Sequence, residues 1–170
     1  LDTRNLRAWL KQHSRGRTVL NTFAYTGSLG VAALAGGAQE VTQLDRNGRF
    51  LQLAQQSVRL NGLDDSKMNC SAVDFFVGVG QMKKSRKIFD LVILDPPYFS
   101  LTERGRVDLV NDVGRLVNKV RPLVSDGGKL VVVNNALYLS GQAFLQAIEE
   151  LGKDGYITVE TMIPVPEDFT

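Results

Sequence analysis

Residues 18–45 read TVLNTFAYTGSLGVAALAGGAQEVTQLD, and their pattern gives the clearest indication of the fold class. A short β-rich run at residues 18–21 leads into a turn that contains two glycines, and a helical pattern follows at residues 29–35. A second β-rich run at residues 40–44 ends directly before Asp45. Strand, glycine turn, helix and strand in this order are typical of a βαβ unit on a parallel sheet.

The same alternation continues along the whole chain. Strands are predicted at residues 18–21, 40–44, 68–72, 89–94, 129–134 and 156–163. Helices are predicted at residues 6–12, 29–35, 48–60, 75–83, 107–121 and 141–151. The helix at 107–121 has the clearest pattern, because Val110, Val113, Val117 and Val120 recur at the spacing of one buried helix face. The predicted fold class is α/β, a doubly wound, Rossmann-like sheet that is mostly parallel and has helices on both faces.

Composition limits the classes of protein to consider. The 170 residues fit one domain, 44% of them are apolar, and a net charge of +2 is too weak to indicate nucleic acid by itself. One cysteine, Cys70, and one histidine exclude an internal disulfide and a zinc site of Cys and His ligands. No apolar run approaches the roughly 20 residues of a membrane span and no signal peptide is visible, which favours a cytoplasmic protein. Because the chain begins without methionine, we expect a fragment of a longer protein.

In doubly wound sheets the ligand binds outside the carboxyl ends of the strands. After the first strand, residues 21–30 read NTFAYTGSLG, whose glycines let backbone approach a ligand at the start of a helix. An ordinary turn is the alternative, because neither G-x-G-x-x-G nor G-x-x-x-x-G-K-[ST] is present. Asp45 follows Gly27 by 18 residues, close to the spacing at which an acid accepts ribose hydroxyl protons. Its alternative role is to cap the next helix.

The end of the third strand completes a predicted adenosine pocket. Asp74 is placed to accept from an adenine amino group, with Phe75 or Phe76 against the ring. Packing of both phenylalanines in the core is at least as good an interpretation. Together with Gly27 and Asp45, these residues outline a site for an adenosine.

Residues 94–100 read LDPPYFS and follow the fourth strand. Pro96 and Pro97 lack backbone N–H groups, which leaves the Asp95 carboxylate and the Pro96 carbonyl as acceptors beside Tyr98. Acceptors can hold the N–H groups of a planar base while an aromatic ring stacks on its face. Asp95, Pro96, Pro97 and Tyr98 are therefore the predicted catalytic residues. The alternative is a proline-rich turn with a capping aspartate.

These residues resemble the class I S-adenosylmethionine-dependent methyltransferases, most closely the group that methylates large-subunit ribosomal RNA. The resemblance also includes LDTR at residues 1–4 and NGL at residues 61–63, and it covers nearly the whole chain. It implies S-adenosylmethionine as cofactor and RNA, large-subunit ribosomal RNA, as partner, with no metal and no membrane. The cofactor residues that it implies are Arg4 for the methionine carboxylate, Phe23, Tyr25, Thr26 and Gly27 for the methionine part, Asp45 with Arg46 beside it for the ribose, and Asp74 with Phe75 for the adenine.

The resemblance makes residues 1–170 one catalytic domain, without the family's N-terminal RNA-binding domain and without the last strand of the usual seven. The 5-methylcytosine members of the group carry a nucleophilic cysteine just after the fifth strand, where residues 133–136 read VNNA. Asn135 cannot form the covalent adduct, and Cys70 is predicted as a small core residue of the third strand. The DPPY sequence resembles the corresponding motif of methyltransferases that act on exocyclic or ring nitrogens. The predicted reaction is therefore direct transfer to a base nitrogen in ribosomal RNA.

Several alternatives stay open. The chain could be a 5-methylcytosine ribosomal RNA methyltransferase, or a methyltransferase of a protein or small molecule. A strand, a glycine turn and Asp45 also fit an NAD(P)-dependent oxidoreductase, although the third glycine is missing. A catalytically silent binding module is a further class. The candidate contacts with RNA phosphates are Arg104, Arg106, Lys83, Lys84, Arg86 and Lys87.

Overall fold

Five parallel strands form the central sheet, in the order β3-β2-β1-β4-β7, and two further strands form an antiparallel hairpin. The computed structural model describes residues 3–136 and 139–169, so Leu1 and Asp2 of the LDTR sequence lie outside the described residues. The strands are β1 Thr18–Thr22, β2 Glu40–Asp45, β3 Met68–Ala72, β4 Phe89–Leu94, β5 Phe99–Thr102, β6 Gly105–Asp108 and β7 Val124–Val132.

Helices connect the strands and cover the sheet. They are α1 Arg4–His13, α2 Ser28–Ala35, α3 Gly48–Leu60, α4 Phe75–Lys84, α5 Leu109–Val120 and α6 Gly141–Leu151. All six predicted helices are present, and α3 and α6 have the predicted bounds. Within residues 3–136 and 139–169, no helix is long and apolar enough to cross a membrane.

The sheet separates two hydrophobic clusters. Successive strand residues point to opposite faces, so Leu20 of β1 packs with α4, α5 and α6, whereas its neighbour Val19 packs with α1, α2 and α3. Val92 and Ile93 of β4 divide in the same way. Helices therefore lie on both faces of a parallel sheet, and the predicted doubly wound α/β fold is confirmed.

The strand order places the site. The chain runs outward from β1 through β2 to β3 and then returns to β4 on the other side of β1. This reversal between β1 and β4 is the switch point at which doubly wound sheets bind ligands. The loops that follow β1, β2, β3 and β4 all leave the sheet at the same carboxyl edge, because the strands are parallel.

The hairpin of β5 and β6 is absent from the prediction, and it shortens the helix predicted at 107–121. Val107 and Asp108 close β6, so α5 begins at Leu109. Val107 is nevertheless buried in the same cluster as valines of α5. The apolar pattern of the helix therefore extends in the sequence beyond the start of the helix itself. The two turn residues, Glu103 and Arg104, are not the Asn and Gly that mark tight hairpins in a sequence.

Two strand predictions near the carboxyl terminus need correction. The strand predicted at 129–134 instead runs from Val124 to Val132, because it also pairs with β4 before a register shift: Phe89 aligns with Val124 and Leu91 with Lys129, so the extra residues of the bulge belong to β7. The strand predicted at 156–163 is wrong: these residues form no strand, and Tyr156 is 79% exposed. A β-rich composition does not make a strand without a partner to complete the ladder, and the segment is instead joined to β7 by an ion pair between Lys129 and Glu160.

Asp90 joins three strands at the opposite, amino edge of the sheet. Its Oδ2 accepts from the Thr18 amide at 2.9 Å and from the Thr18 hydroxyl at 2.8 Å, and its Oδ1 accepts from the Ser125 hydroxyl at 3.2 Å. These donors, with the Thr18 amide first, hold the pKa of Asp90 below the usual aspartate value, against the opposing effect of burial. The carboxylate therefore ties β4 to β1 and to β7.

We expect Asp90→Ala to lower the free energy of unfolding at neutral pH by roughly 1–3 kcal/mol, because several donors lose a charged acceptor. A lowered folded pKa stabilises the protein above the unfolded pKa of about 3.9, and this contribution is lost as pH falls through the folded pKa. The difference between variant and parent should therefore shrink in acid. Urea unfolding at several pH values measures this, with the exposed Asp126→Ala as control; equal stability of Asp90→Ala and parent at pH 7 would contradict the assignment.

Candidate active site at the carboxyl edge of the sheet

The loop after β1 has an unusual backbone. Phe23 and Tyr25 have positive φ angles of 55° and 50°, and Gly27 has a φ of 75°. Residues other than glycine rarely adopt positive φ angles, and such backbone strain persists only where surrounding contacts impose it. The Ala24 amide donates to the Leu44 carbonyl at 3.0 Å, which ties the loop to the end of β2. The loop is thus built to present Phe23, Tyr25 and Thr26 in a fixed arrangement.

Gln43 explains both glycines of the turn. Its side chain is completely buried, donates to the Gly27 carbonyl at 3.0 Å and accepts from Asn21 Nδ2 at 2.8 Å. A Cβ on Gly30 would lie 2.3 Å from Gln43 Nε2, and one on Gly27 would lie 2.4 Å from the Ala54 Cβ. The glycines are therefore required by packing beneath the loop. The sequence gives no signal for Gln43, since a glutamine within a strand is ordinarily read as exposed.

Asp45 binds two loops at once. Its Oδ2 accepts from the Tyr25 amide and its Oδ1 from the Asn47 amide, both at 2.8 Å. The N-cap of α3 is Asn47, whose side chain accepts from the Arg49 amide, so the alternative role of Asp45 as that cap is wrong. Each carboxylate oxygen can accept more than one hydrogen bond, so this half-buried carboxylate keeps capacity for two hydroxyl donors. Arg46 follows it on the exposed surface.

The end of β3 supplies Asp74 and two phenylalanines. Asp74 caps α4 by accepting from the Phe76 amide at 2.9 Å, which leaves its other oxygen for a further donor. Phe75 is buried and stacks on Phe23 with ring centroids 4.5 Å apart. This contact joins the loops after β1 and β3, so Phe75 supports the pocket from the core side. Tyr25, in the loop after β1, is exposed and packs edge-on against Phe50.

The turn after β4 carries the predicted acceptors. Asp95 is half-buried, Pro96 is buried, and Pro97 and Tyr98 are exposed. Asn135 Nδ2 donates to Asp95 Oδ1 at 2.6 Å and to the Pro96 carbonyl at 3.0 Å. The turn therefore offers two acceptors close enough together to share one amino group. The sequence does not predict that Asn135 is a donor to this turn. It identifies Asn135 only as a residue at the place where 5-methylcytosine methyltransferases carry their nucleophilic cysteine.

The hairpin extends from this turn. The Leu109 amide donates to the Tyr98 carbonyl at 3.1 Å, which closes the base of the hairpin beside the acceptors. Phe99 and Leu101 are 53% and 70% exposed, and Arg106 pairs with Leu101 across the two strands. An apolar surface with an arginine at its rim thus begins at the DPPY turn.

Arg4 is placed differently from the other predicted site residues. It lies at the start of α1, where its guanidinium forms a two-pronged ion pair with Asp168, and both side chains are more than half exposed. The structure therefore brings Phe23, Tyr25, Thr26, Gly27, Asp45, Arg46, Asp74, Phe75 and residues 95–98 to one edge, and it describes Arg4 in contact with the carboxyl-terminal segment. In the part of the chain that is described, no group of three or more His, Cys, Asp or Glu side chains could hold a metal ion.

Cys70 lies within β3, away from the DPPY turn. It is half-buried against the cluster of α1, α2 and α3, and its Sγ is 3.9 Å from the Leu51 carbonyl. Burial raises the pKa of its thiol, which disfavours the thiolate that a nucleophile needs. Its predicted role as a small core residue agrees with this environment.

Comparison with known proteins adds a family and several relatives. A family model described as S-adenosylmethionine-dependent methyltransferase matches residues 1–161. The putative ribosomal RNA large subunit methyltransferase YwbD of Bacillus subtilis is 32% identical over 99% of this chain and 43% of its own length. Ribosomal RNA large subunit methyltransferase K/L of Marinobacter nauticus is 36% identical over 79% of this chain and 19% of its own length. The chain thus spans less than half of these relatives.

A solved structure agrees over almost the whole chain. SMU.776, described as a putative methyltransferase complexed with SAH, superimposes with a TM-score of 0.92 at 28% identity. The match covers 99% of this chain and 44% of that protein. The fold is therefore that of a protein whose structure was solved with SAH.

Proposed function

This chain belongs to the S-adenosylmethionine-dependent methyltransferases, with S-adenosylmethionine as its cofactor, and from that premise we propose that it methylates a base nitrogen in large-subunit ribosomal RNA by direct transfer. Family membership confirms the methyltransferase prediction and decides against the NAD(P)-dependent oxidoreductase. The observation that carries the proposal is the pair of acceptors on Asp95 and Pro96, which already hold an amino group, that of Asn135.

The residues at the ends of β1, β2 and β3 fit the cofactor. Asp45 keeps acceptor capacity for two ribose hydroxyls while its bonds to the Tyr25 and Asn47 amides fix its orientation. The loop at residues 23–27 is held by hydrogen bonds from the Ala24 amide to the Leu44 carbonyl and from the Gln43 side chain to the Gly27 carbonyl. S-adenosylmethionine supplies an activated methyl group when it is bound. Asp74 and the exposed ring of Tyr25 complete the proposed set of contacts.

The acceptor pair fits a base nitrogen. Asp95 Oδ1 and the Pro96 carbonyl can hold the N–H hydrogens of a planar amine, which turns the nitrogen lone pair in a fixed direction. The exposed ring of Tyr98 lies next to these acceptors along the chain and can stack on the base. No covalent bond to the enzyme is needed. This supports a nitrogen rather than a carbon as the methylated atom.

RNA is the substrate that the surface around the turn suits best. A base must leave its stack to reach a pocket, and it then exposes its neighbours. Phe99 and Leu101 offer apolar surface for such neighbouring bases, and Arg104 and Arg106 offer charge for phosphates. The names of the relatives, which are ribosomal RNA large subunit methyltransferases, support the same substrate. A ribosomal RNA base is therefore our proposed acceptor.

The second group of candidate phosphate contacts lies elsewhere. Lys83, Lys84, Arg86 and Lys87 are at the end of α4 and in the loop before β4. Since α4 starts at the carboxyl edge and returns to the amino edge, these cations are at the far end of the sheet from the DPPY turn. Of the candidate phosphate contacts, we therefore propose that Arg104 and Arg106 bind the RNA phosphates near the target base.

We expect Cys70→Ser to keep most of the methyltransferase activity, because the thiol is half-buried in β3 and its pKa is raised by burial. Activity should be compared with parent after both proteins are shown to be folded by circular dichroism. Complete inactivation of a folded Cys70→Ser protein, or a trapped covalent adduct with RNA, would favour the 5-methylcytosine mechanism instead.

The proposal is tested by mass spectrometry of ribosomal RNA from cells with and without the gene. Digestion of large-subunit RNA to nucleosides should show one methylated base whose methyl group is on nitrogen in the parent and absent in the deletion strain. Complementation with the parent gene should restore it, and complementation with Asp95→Ala should not. An unchanged set of methylated nucleosides would refute the proposed substrate.

A further inference from the structure

Asn135 holds both acceptors of the DPPY turn with one amino group. Its Nδ2 lies 2.6 Å from Asp95 Oδ1 and 3.0 Å from the Pro96 carbonyl oxygen. Both partners can only accept at these atoms, so the amide group must direct its nitrogen toward them. The side-chain amide of Asn135 is planar, and so is the exocyclic amine of adenine, cytosine or guanine. The two groups present the same pair of hydrogens.

Pairing between β4 and β7 brings Asn135 to this place. Leu94 aligns with Val132, and the Val133 amide donates to the Leu94 carbonyl at 2.9 Å. The segments that follow β4 and β7 therefore leave the sheet side by side. The neighbouring Asn134 only shapes its own loop, because its amide oxygen accepts from the Ala136 amide and its nitrogen donates to the Leu139 carbonyl. Asn135 is the residue that crosses to the acceptor turn.

We infer that Asn135 is a specificity-determining residue that occupies the place of the substrate's amino group and must yield it when the base enters. This inference rests on the proposed function, in which Asp95 and Pro96 hold the base nitrogen. A base with an amino group restores both hydrogen bonds that Asn135 gives up. A base without such hydrogens replaces neither of these two hydrogen bonds and is therefore selected against.

Replacement of Asn135 by alanine removes the amino group that competes with the base, and it should change the half-saturating RNA concentration but not the maximal rate. In Asn135→Ala, the RNA concentration that gives half the maximal single-turnover rate should fall about five- to tenfold, because the base no longer displaces a charge-assisted hydrogen bond. The maximal rate should stay within about twofold of parent, since Asp95 and Pro96 remain. Asn135→Gln, which keeps an amino group on a longer side chain, should lie closer to parent in half-saturation than the alanine variant does.

The experiment uses large-subunit ribosomal RNA transcribed in vitro, which is unmodified, and S-adenosylmethionine labelled in its methyl group. Single-turnover rates at a series of RNA concentrations separate binding from transfer for the parent, Asn135→Ala, Asn135→Gln and the control Asn69→Ala. Asn69 lies at the start of β3, and the one described side-chain hydrogen bond that it forms is to the half-buried Glu40. Circular dichroism and cofactor titration establish that each variant is folded; Asn135→Ser, whose short hydroxyl cannot bridge both acceptors, replaces the alanine variant if it does not fold.

The results separate this inference from the proposed function. An inactive, cofactor-bound parent protein would refute the proposed RNA substrate. If the parent is active and the Asn135→Ala variant saturates at lower RNA concentration, the result supports replacement of the Asn135 amino group by that of the base. A slower Asn135→Ala variant with unchanged half-saturation would show that Asn135 only braces the acceptors, and unchanged rate and half-saturation would show that its contact is incidental; either result overturns the inference.

Discussion

Asp95→Ala is expected to reduce methyl transfer by about 100-fold or more and to leave cofactor affinity nearly unchanged. The carboxylate follows β4, whereas the cofactor contacts are assigned to the ends of β1, β2 and β3. Loss of one acceptor that orients the reacting nitrogen removes a preorganised polar contact and misaligns the base. The measurement is the single-turnover rate of transfer to RNA, with calorimetric titration of S-adenosylmethionine on the same protein.

Tyr98 provides the matched comparison at the same turn. Tyr98→Ala should also lower the transfer rate sharply, because an exposed ring that can stack on the base is lost. Tyr98→Phe keeps the ring and should be milder. Should all three variants transfer methyl groups at the parental rate, the DPPY sequence would be only a turn. A large loss of cofactor affinity in Asp95→Ala would instead place Asp95 on the wrong side of the site.

Asp45→Ala is expected to weaken cofactor binding by roughly 5- to 150-fold, which corresponds to about 1–3 kcal/mol for unpaired ribose hydroxyls. The structure adds a second reason, because Asp45 Oδ2 also accepts from the Tyr25 amide and so holds the loop that lines the pocket. Asp45→Asn keeps one side-chain acceptor and should fall between alanine and parent. Calorimetric titration with S-adenosylmethionine and S-adenosylhomocysteine measures all three proteins.

The exposed Asp65→Ala is a suitable control, since Asp65 is outside the loops at the carboxyl edge and pairs with Arg59. Equal cofactor affinity of parent and Asp45→Ala, within error, would show that the pocket lies elsewhere.

The sequence predicts the fold well because short β-rich runs alternate with helical patterns, and because the run that forms β4 is strongly apolar. The strands at 68–72 and 89–94 have the predicted bounds, and the order of their loops leads directly to the edge where Asp45, Asp74 and Asp95 lie. Strands buried on both faces need apolar side chains at successive positions, as in FDLVIL of β4, so the signal is local and strong. Position after a strand therefore locates candidate residues before any contact is known.

What the sequence does not predict depends on partners distant along the chain. Gln43 is buried because Asn21 and the Gly27 carbonyl satisfy it, and Asn135 reaches Asp95 across 40 positions. The segment at 156–163 has the composition of a strand but pairs with no strand within residues 3–136 and 139–169. Composition and spacing describe neighbours, whereas polar networks and edge pairing are set by the tertiary fold.

Methylation of a base nitrogen in large-subunit ribosomal RNA can be measured on the purified protein. Purified protein is incubated with unmodified ribosomal RNA and S-adenosylmethionine carrying a labelled methyl group, and the RNA is then digested to nucleosides for mass spectrometry. We expect the label to appear in one nucleoside, on a base nitrogen, and to disappear with Asp95→Ala. Label on carbon 5 of cytosine, or no label in RNA from a protein that binds the cofactor, would contradict it.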